Sequence, residues 1–260
     1  MKSNTKKILK LIGLANLRYL VFTLLRYPDY IKDYFKFRTL YRQSNDKRFS
    51  FNFLDSYPCL LDKTVYTGFD RQYVFHTAWA ARKVQQISPT VHHDISSSVY
   101  FNALVSAFVP INFYDYRPAI MNLSGLSSEP GDLHKLPFED NSIASLSCMH
   151  VIEHIGLGRY GDPIDYEGDL KAISEIKRVI SDGGHLLFVV PIGKNIIMFN
   201  AHRIYSYKQI IEYFNGFELL EFSLVEDHKY GGTIVENATE ELANKQDYGC
   251  GMFWFKKSNK

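Results

Sequence analysis

The chain has 260 residues, 46% of them hydrophobic, and a formal net charge of +2, which suits one sizeable domain with an appendage. Cys59, Cys148 and Cys250 stand singly, with no CxxC spacing and no even set, so a disulfide scaffold is excluded and a reducing compartment fits. The small net charge hides a split: residues 1–50 carry 12 Lys/Arg against 3 Asp/Glu and the rest 18 against 25, so a basic head precedes an acidic body that is ill suited to nucleic acid.

Residues 5–27 read as a helix, because Leu9, Ile12, Leu17, Leu20, Val21 and Leu24 recur at helical spacing. Lys10 and Arg18 interrupt its apolar run too early for a bilayer span, and no A-x-A-like cleavage site follows, so neither a transmembrane helix nor a cleaved signal is expected. Pro28 should end this helix. Asp29 is a candidate cap for a second one, in which Tyr30, Ile31, Tyr34, Phe35 and Phe37 alternate with Lys32, Lys36 and Arg38. Residues 1–42 thus form a basic amphipathic extension, suited either to an anionic membrane surface or to docking on the core or a second subunit. Residues 43–89 read as a linker and a helical lead-in that carries Tyr73, Phe75, Trp79 and Ala80.

From residue 90 to 260 strands alternate with helices. The expected strands are Val91 to Ile95, Ile111 to Tyr116, Ala119 to Leu123, Ile143 to Met149 and His185 to Val190, the last stopped at Pro191. The expected helices are Val99 to Phe108, a run from a possible cap at Asp169 to Ile180, and Tyr207 to Phe214; Ser181-Asp182-Gly183-Gly184 reads as a helix stop. Leu219 to Val225 and Gly251 to Lys256 could pair antiparallel at the sheet edge. This is the pattern of an α/β protein with a mostly parallel, doubly wound sheet.

In such a sheet ligands sit outside the carboxyl ends of the strands. The stretch from Ser142 to Asp165 stands out, a buried strand running straight into His150, Glu153, His154, Arg159, Tyr160, Asp162 and Asp165, spaced by Gly156, Gly158 and Gly161. The first strand ends in Asp94-Ile95-Ser96-Ser97-Ser98: Asp94 could accept a hydrogen bond from a ligand and Ser96 is small enough for close approach, yet the turn has no glycine. Asp115, roughly 20 residues on, matches the place of a ribose-gripping carboxylate, or else starts a surface turn before Arg117-Pro118. Asp132 is either an adenine contact or a turn cap. His150, Glu153 and His154 would share a helical face, but not in the HExxH order, and no metal is expected.

Three pieces, Asp132-Leu-(x)2-Leu-Pro-Phe, Met149-His-Val-Ile-Glu-His and Val179-Ile-Ser-Asp-Gly-Gly-His-Leu, resemble class I S-adenosylmethionine-dependent methyltransferases. Three more, Tyr57-Pro-Cys-Leu-Leu-Asp, the long His154-Ile-Gly-Leu-Gly-Arg-Tyr-Gly-Asp-Pro-Ile-Asp and Phe199-Asn-Ala-His-Arg, are similar to the domain-of-unknown-function family numbered 268. The resemblance runs from Tyr57 to Val225. It implies a Rossmann-like methyltransferase fold with S-adenosyl-L-methionine across the first, second and fourth strands, held by Asp94, Ser96, Asp115, Asp132 and His150. It also implies a setting in surface-polysaccharide biosynthesis; a cytoplasmic place, peripheral at the inner face of a membrane, is expected from the single cysteines and the basic residues 1–42. Methylation of a sugar hydroxyl needs a base, for which His154, then His202 and His150, are the candidates. Arg159 and Arg203 would meet an anionic acceptor such as a sugar nucleotide, beside Tyr160. Asp162 and Asp165 would hold its hydroxyls or else bind Arg159. Glu153 is expected to brace the loop. The glycine-free first turn favours a second reading, a non-catalytic member kept as a binding or scaffold protein at the membrane face of a glycan assembly system.

Overall fold

The computed structural model describes residues 21–227 and 233–259. By internal contacts the chain divides into two compact units, Met1–Gly68 and Phe69–Lys260.

In the first unit the main element is α1, Tyr27–Gln43, preceded by helical turns at 21–24. The expected break near Pro28 lies slightly earlier, at residues 25–26, and Pro28 sits in the first turn of α1, where a missing N–H costs no hydrogen bond. The cap position belongs to Arg26 rather than Asp29. No residue of α1 is buried; Tyr34, Phe37 and Tyr41 pack their rings on Phe51, at centroid distances of 5.2, 5.1 and 5.5 Å. Most of the expected helix 5–27 lies outside the described residues. None of the described helices is long and apolar enough to cross a membrane.

The second unit opens with α2, Arg71–Ile87, capped by Asp70, whose side chain accepts from the Tyr73 amide. An eight-stranded sheet follows, in the order β3-β2-β1-β4-β5-β10-β8-β9. Its strands are β1 His92–Ile95, β2 Ile111–Asp115, β3 Leu126–Pro130, β4 Ile143–Met149, β5 Ile180–Ile192, β8 Phe217–Val225, β9 Ile234–Val235 and β10 Gly249–Lys257. A separate hairpin pairs β6 Ile196–Met198 with β7 His202–Ile204. Strands β1 to β5 are parallel, whereas β10 runs antiparallel between β5 and β8. Helices α3 Val99–Val105, α4 Gly168–Val179, α5 Tyr207–Tyr213 and α6 Glu240–Asn244 complete it. The expected class, mostly parallel with an antiparallel edge, is the one observed.

Alternation along the strands makes two cores. Leu186, Phe188 and Val190 point to one face with Ala172, Ile173 and Ile176 of α4; Leu187 and Val189 point to the other with Trp79, Ala80 and Val84 of α2 and Phe101 of α3. All of these are almost completely buried, and each large side chain contributes about 1.5–3 kcal/mol. Both faces are covered, which a parallel sheet requires.

Four expectations need correction. The third strand is Leu126–Pro130, not Ala119 to Leu123; the apolar Ile120 is fully exposed, while β3 is an edge strand whose Leu-Ser-Ser-Glu-Pro carries no apolar signal. Asp169 does not cap α4: it lies in the first turn, buried, accepting from the Tyr205 hydroxyl at 2.9 Å. Helix α4 does stop at Val179, but Ser181 to Gly184 form the irregular start of β5. Pro191 does not end that strand, which pairs on to Ile192 opposite Gly249.

Candidate functional site

The first turn explains its own missing glycine. Ser96 holds a left-handed backbone, φ 55, and its amide donates to the Tyr114 carbonyl at 2.7 Å. A serine therefore occupies the conformation for which glycine is the usual choice. Asp94 does not face a ligand: it is completely buried, accepting from the Ser97 amide (3.1 Å), Asn102 Nδ2 (2.8 Å) and the Ser147 hydroxyl. Its carboxylate thus pins the turn to α3 and β4. Burial pushes its pKa up to about 6 although those hydrogen bonds oppose it. His92 continues the network to Ser145 and Ser147 at 2.8 and 3.0 Å, and burial lowers it to about 3, so it stays neutral.

Two hollows lie at the carboxyl ends of the strands. One, of about 340 Å³, is lined by Ser96, Asp115, Gly131, Asp132 and His134. The other, of about 710 Å³, is lined by Asp70, Glu153, Arg159, His202, Glu226 and Tyr248. Tyr73, His150, His154 and Tyr160 line both and so join them. Asp115 and Asp132 stand at the mouths of β2 and β3, each accepting the amide two residues on, from Arg117 at 2.7 Å and His134 at 2.8 Å.

His150 leaves β4 with φ 57. Its Nδ1 donates to Glu153 Oε1 at 2.8 Å, Nε2 lies 3.3 Å from Cys250 Sγ, and its ring stacks on Tyr73. Burial alone would lower the imidazole, but Cys250 and then Glu153 outweigh it and hold it at about 10. Glu153 is buried between two histidines, with His154 Nε2 3.8 Å from the same Oε1, while its Oε2 finds no hydrogen-bond partner among the described residues. His154 Nδ1 lies 2.6 Å from the Ala201 carbonyl and must carry the proton there, leaving Nε2 with the lone pair. Arg159 Nη1 donates to the same carbonyl at 3.0 Å, so its 3.3 Å approach to His154 Nδ1 is a contact between two donors. His202 Nε2 is buried without a partner among the described residues, and burial, partly opposed by Glu153, lowers its pKa.

Three candidates lie off both hollows. Arg203 is buried, donating to the Ile155 and Tyr166 carbonyls at 2.6 and 3.1 Å with Nε 3.5 Å from Asp169; it ties β7 to the loop and lines neither hollow. Asp165 pairs with Lys171 at 2.6 Å. Asp94 is the third. Asp162 lines the smaller hollow, but both oxygens serve backbone amides: Oδ2 those of Gly156 and Gly158, Oδ1 that of Tyr160. Gly156, at φ 79, has no room for a Cβ, which would fall 2.0 Å from the Asp165 carbonyl oxygen. The sequence reading missed Tyr248 and Glu226, whose distance along the chain gives no local signal, and it placed Tyr73 only on the lead-in helix. Among the described residues the one group suited to a metal is His76, His150 and Cys250, not the expected-against set of His150, Glu153 and His154.

No curated protein matches the chain in sequence. A solved structure from Galdieria sulphuraria, described as "a putative sarcosine dimethylglycine methyltransferase", is 13% identical with a TM-score of 0.50, over 72% of this chain and 86% of that one. The N-methyltransferase NodS from Bradyrhizobium japonicum WM9, in complex with S-adenosyl-L-homocysteine, is 10% identical with a TM-score of 0.46, over 73% of this chain and all of that one. The family described as "Caenorhabditis protein of unknown function, DUF268" matches residues 138–248, a span that includes His154 to Asp165 and Phe199 to Arg203 but not Tyr57 to Asp62. Residues 138–248 therefore match this family's model, and the chain shares a Rossmann-like fold with the Galdieria sulphuraria structure.

Proposed function

We propose that the protein is an S-adenosyl-L-methionine-dependent methyltransferase whose acceptor is a hydroxyl of a sugar, sugar nucleotide or glycan in surface-polysaccharide biosynthesis. The observation that carries this reading is the pair of hollows joined through Tyr73, His150, His154 and Tyr160. The smaller one fits the cofactor: Asp115 would take the ribose hydroxyls, Asp132 the adenine amino group, and the Ser96 turn the close backbone approach. Bound there, S-adenosyl-L-methionine supplies a methyl group on a positively charged sulfur. The larger hollow holds the acceptor, with Arg159 able to meet an anionic group.

His154 is the base. Its tautomer is fixed by Ala201, so Nε2 accepts the hydroxyl proton, and the imidazolium that forms faces the Glu153 carboxylate. His202, kept neutral by burial, lines the same hollow and orients the acceptor. The basic segment 1–42 holds the enzyme at the inner face of an anionic membrane, where lipid-linked glycans are assembled.

The test is label transfer. The full chain is incubated with methyl-tritiated S-adenosyl-L-methionine and a panel of nucleotide sugars and short glycans. Tritium appearing in a glycan, lost in His154→Ala, is the expected result. Label that reaches only amine acceptors would overturn the hydroxyl assignment.

A further inference from the structure

We propose that His76, His150 and Cys250 bind one zinc ion, which fastens α2, the exit of β4 and β10 together beside the joined hollows. The proposal stands apart from the methyl-transfer reading. One potential ligand atom from each residue lies within 4.8 Å of the other two. Tetrahedral zinc, with bonds of about 2.0–2.1 Å to nitrogen and 2.3 Å to sulfur, sets such atoms roughly 3.3–3.6 Å apart. His150 Nε2 and Cys250 Sγ are already 3.3 Å apart.

The independent observation is His76. It is completely buried, its Nδ1 donates to the Gln72 carbonyl at 2.7 Å, and its Nε2 has no hydrogen-bond partner among the described residues. A buried nitrogen left unpaired destabilises the fold, because it has given up its hydrogen bond to water. A hydrogen bond from His150 Nε2 to Sγ accounts for two members of the cluster and leaves the third unsatisfied; an ion satisfies all three.

The second ring nitrogens fit the same reading. Metal-bound histidines hand their other N–H to a carbonyl or a carboxylate, which fixes the tautomer. Here Gln72 O receives that of His76 and Glu153 Oε1 that of His150. Charge balances too once the ion displaces the His150 Nε2 proton: two neutral imidazoles, the Cys250 thiolate and the nearby Glu153 carboxylate offset a dication. One thiolate with two imidazoles suits zinc and not the oxygen-seeking Mg²⁺ or Ca²⁺. Three protein ligands leave a fourth position, and His150, which lines both hollows, places it near them. With Nε2 on the metal, His150 is a ligand and not a base.

The test uses the full chain, purified without chelator. Elemental analysis should find one zinc per chain. After stripping, Co²⁺ titration should produce a thiolate-to-cobalt absorption band that saturates at one equivalent, and added Zn²⁺ should abolish the band and raise the thermal midpoint. Cys250→Ser should lose the band and His76→Ala should weaken cobalt binding, whereas Cys59→Ser, at an exposed cysteine, should keep both. If a variant fails to fold, the wild-type titration still decides. Zinc-free protein that gives no cobalt–thiolate band would overturn the proposal, as would a band that survives Cys250→Ser.

Discussion

At the scale of single residues, the chemistry turns on what holds each histidine. The Ala201 carbonyl takes the proton on His154 Nδ1, so in the neutral ring Nε2 carries the lone pair a base requires, 3.8 Å from the Glu153 carboxylate. Substituting His154→Ala should lower turnover about 100-fold or more while leaving S-adenosylhomocysteine affinity close to wild type. Single-turnover kinetics with calorimetry separates the two, and unchanged turnover would remove His154 from the base role. Ser96 makes a different prediction. Its left-handed backbone suits glycine and opposes a β-branched side chain. Ser96→Gly should therefore stay within about 1 kcal/mol of wild type, while Ser96→Val should cost about 2 kcal/mol or more. Equal urea midpoints for the two variants would contradict the strain argument.

At the scale of elements, buried polar groups fasten the strands that carry the site. The Asp94 carboxyl has its pKa raised from 3.8 to about 6, chiefly by burial. Folded protein therefore holds this proton more tightly than unfolded protein, and the contribution to stability falls as pH rises from about 4 to about 6. The whole interval is worth about 3 kcal/mol. Asp94→Asn carries no such proton, so its stability relative to wild type should climb across that pH range in urea unfolding. A pH-independent difference would show that the carboxylate is not desolvated. Arg203 tests the same idea between loop and hairpin. Removing one partner of a buried ion pair costs about 3–5 kcal/mol, so Arg203→Ala should lower stability by that order. A substrate-binding arginine would instead leave stability unchanged and weaken acceptor binding.

The elements also show what the sequence makes readable. Strand β5 was legible because both its faces are buried, which demands a nearly continuous apolar run such as Leu186 to Val190. β3 was not, because an edge strand can be Leu-Ser-Ser-Glu-Pro and still pair in register with β2. In the site, His150, His154, Asp115 and Asp132 line the hollows. Direction of the side chain was the hidden part. Asp94, Asp165 and Arg203 carry the right chemistry at the right strand ends but are turned into turn, lysine and backbone contacts. His76 and Cys250 gave no signal, since the cluster joins residues far apart in the chain.

At the scale of the whole molecule, charge is divided along the chain. Residues 1–50 carry 12 Lys/Arg against 3 Asp/Glu while the rest is net negative, and α1 buries none of its side chains, leaving Phe35, Phe37 and Leu40 exposed. The full chain should sediment with anionic vesicles and a chain beginning at residue 43 should not; equal sedimentation would sink the membrane role. The second unit carries both hollows and the sheet that frames them. The proposed function requires the smaller hollow to take an adenosyl group. Calorimetric titration of the full chain with S-adenosyl-L-homocysteine tests this most directly. The account predicts saturable heat at one site per chain, weakened about tenfold or more in Asp115→Ala through loss of a charge-assisted hydrogen bond. No heat at millimolar ligand would contradict it.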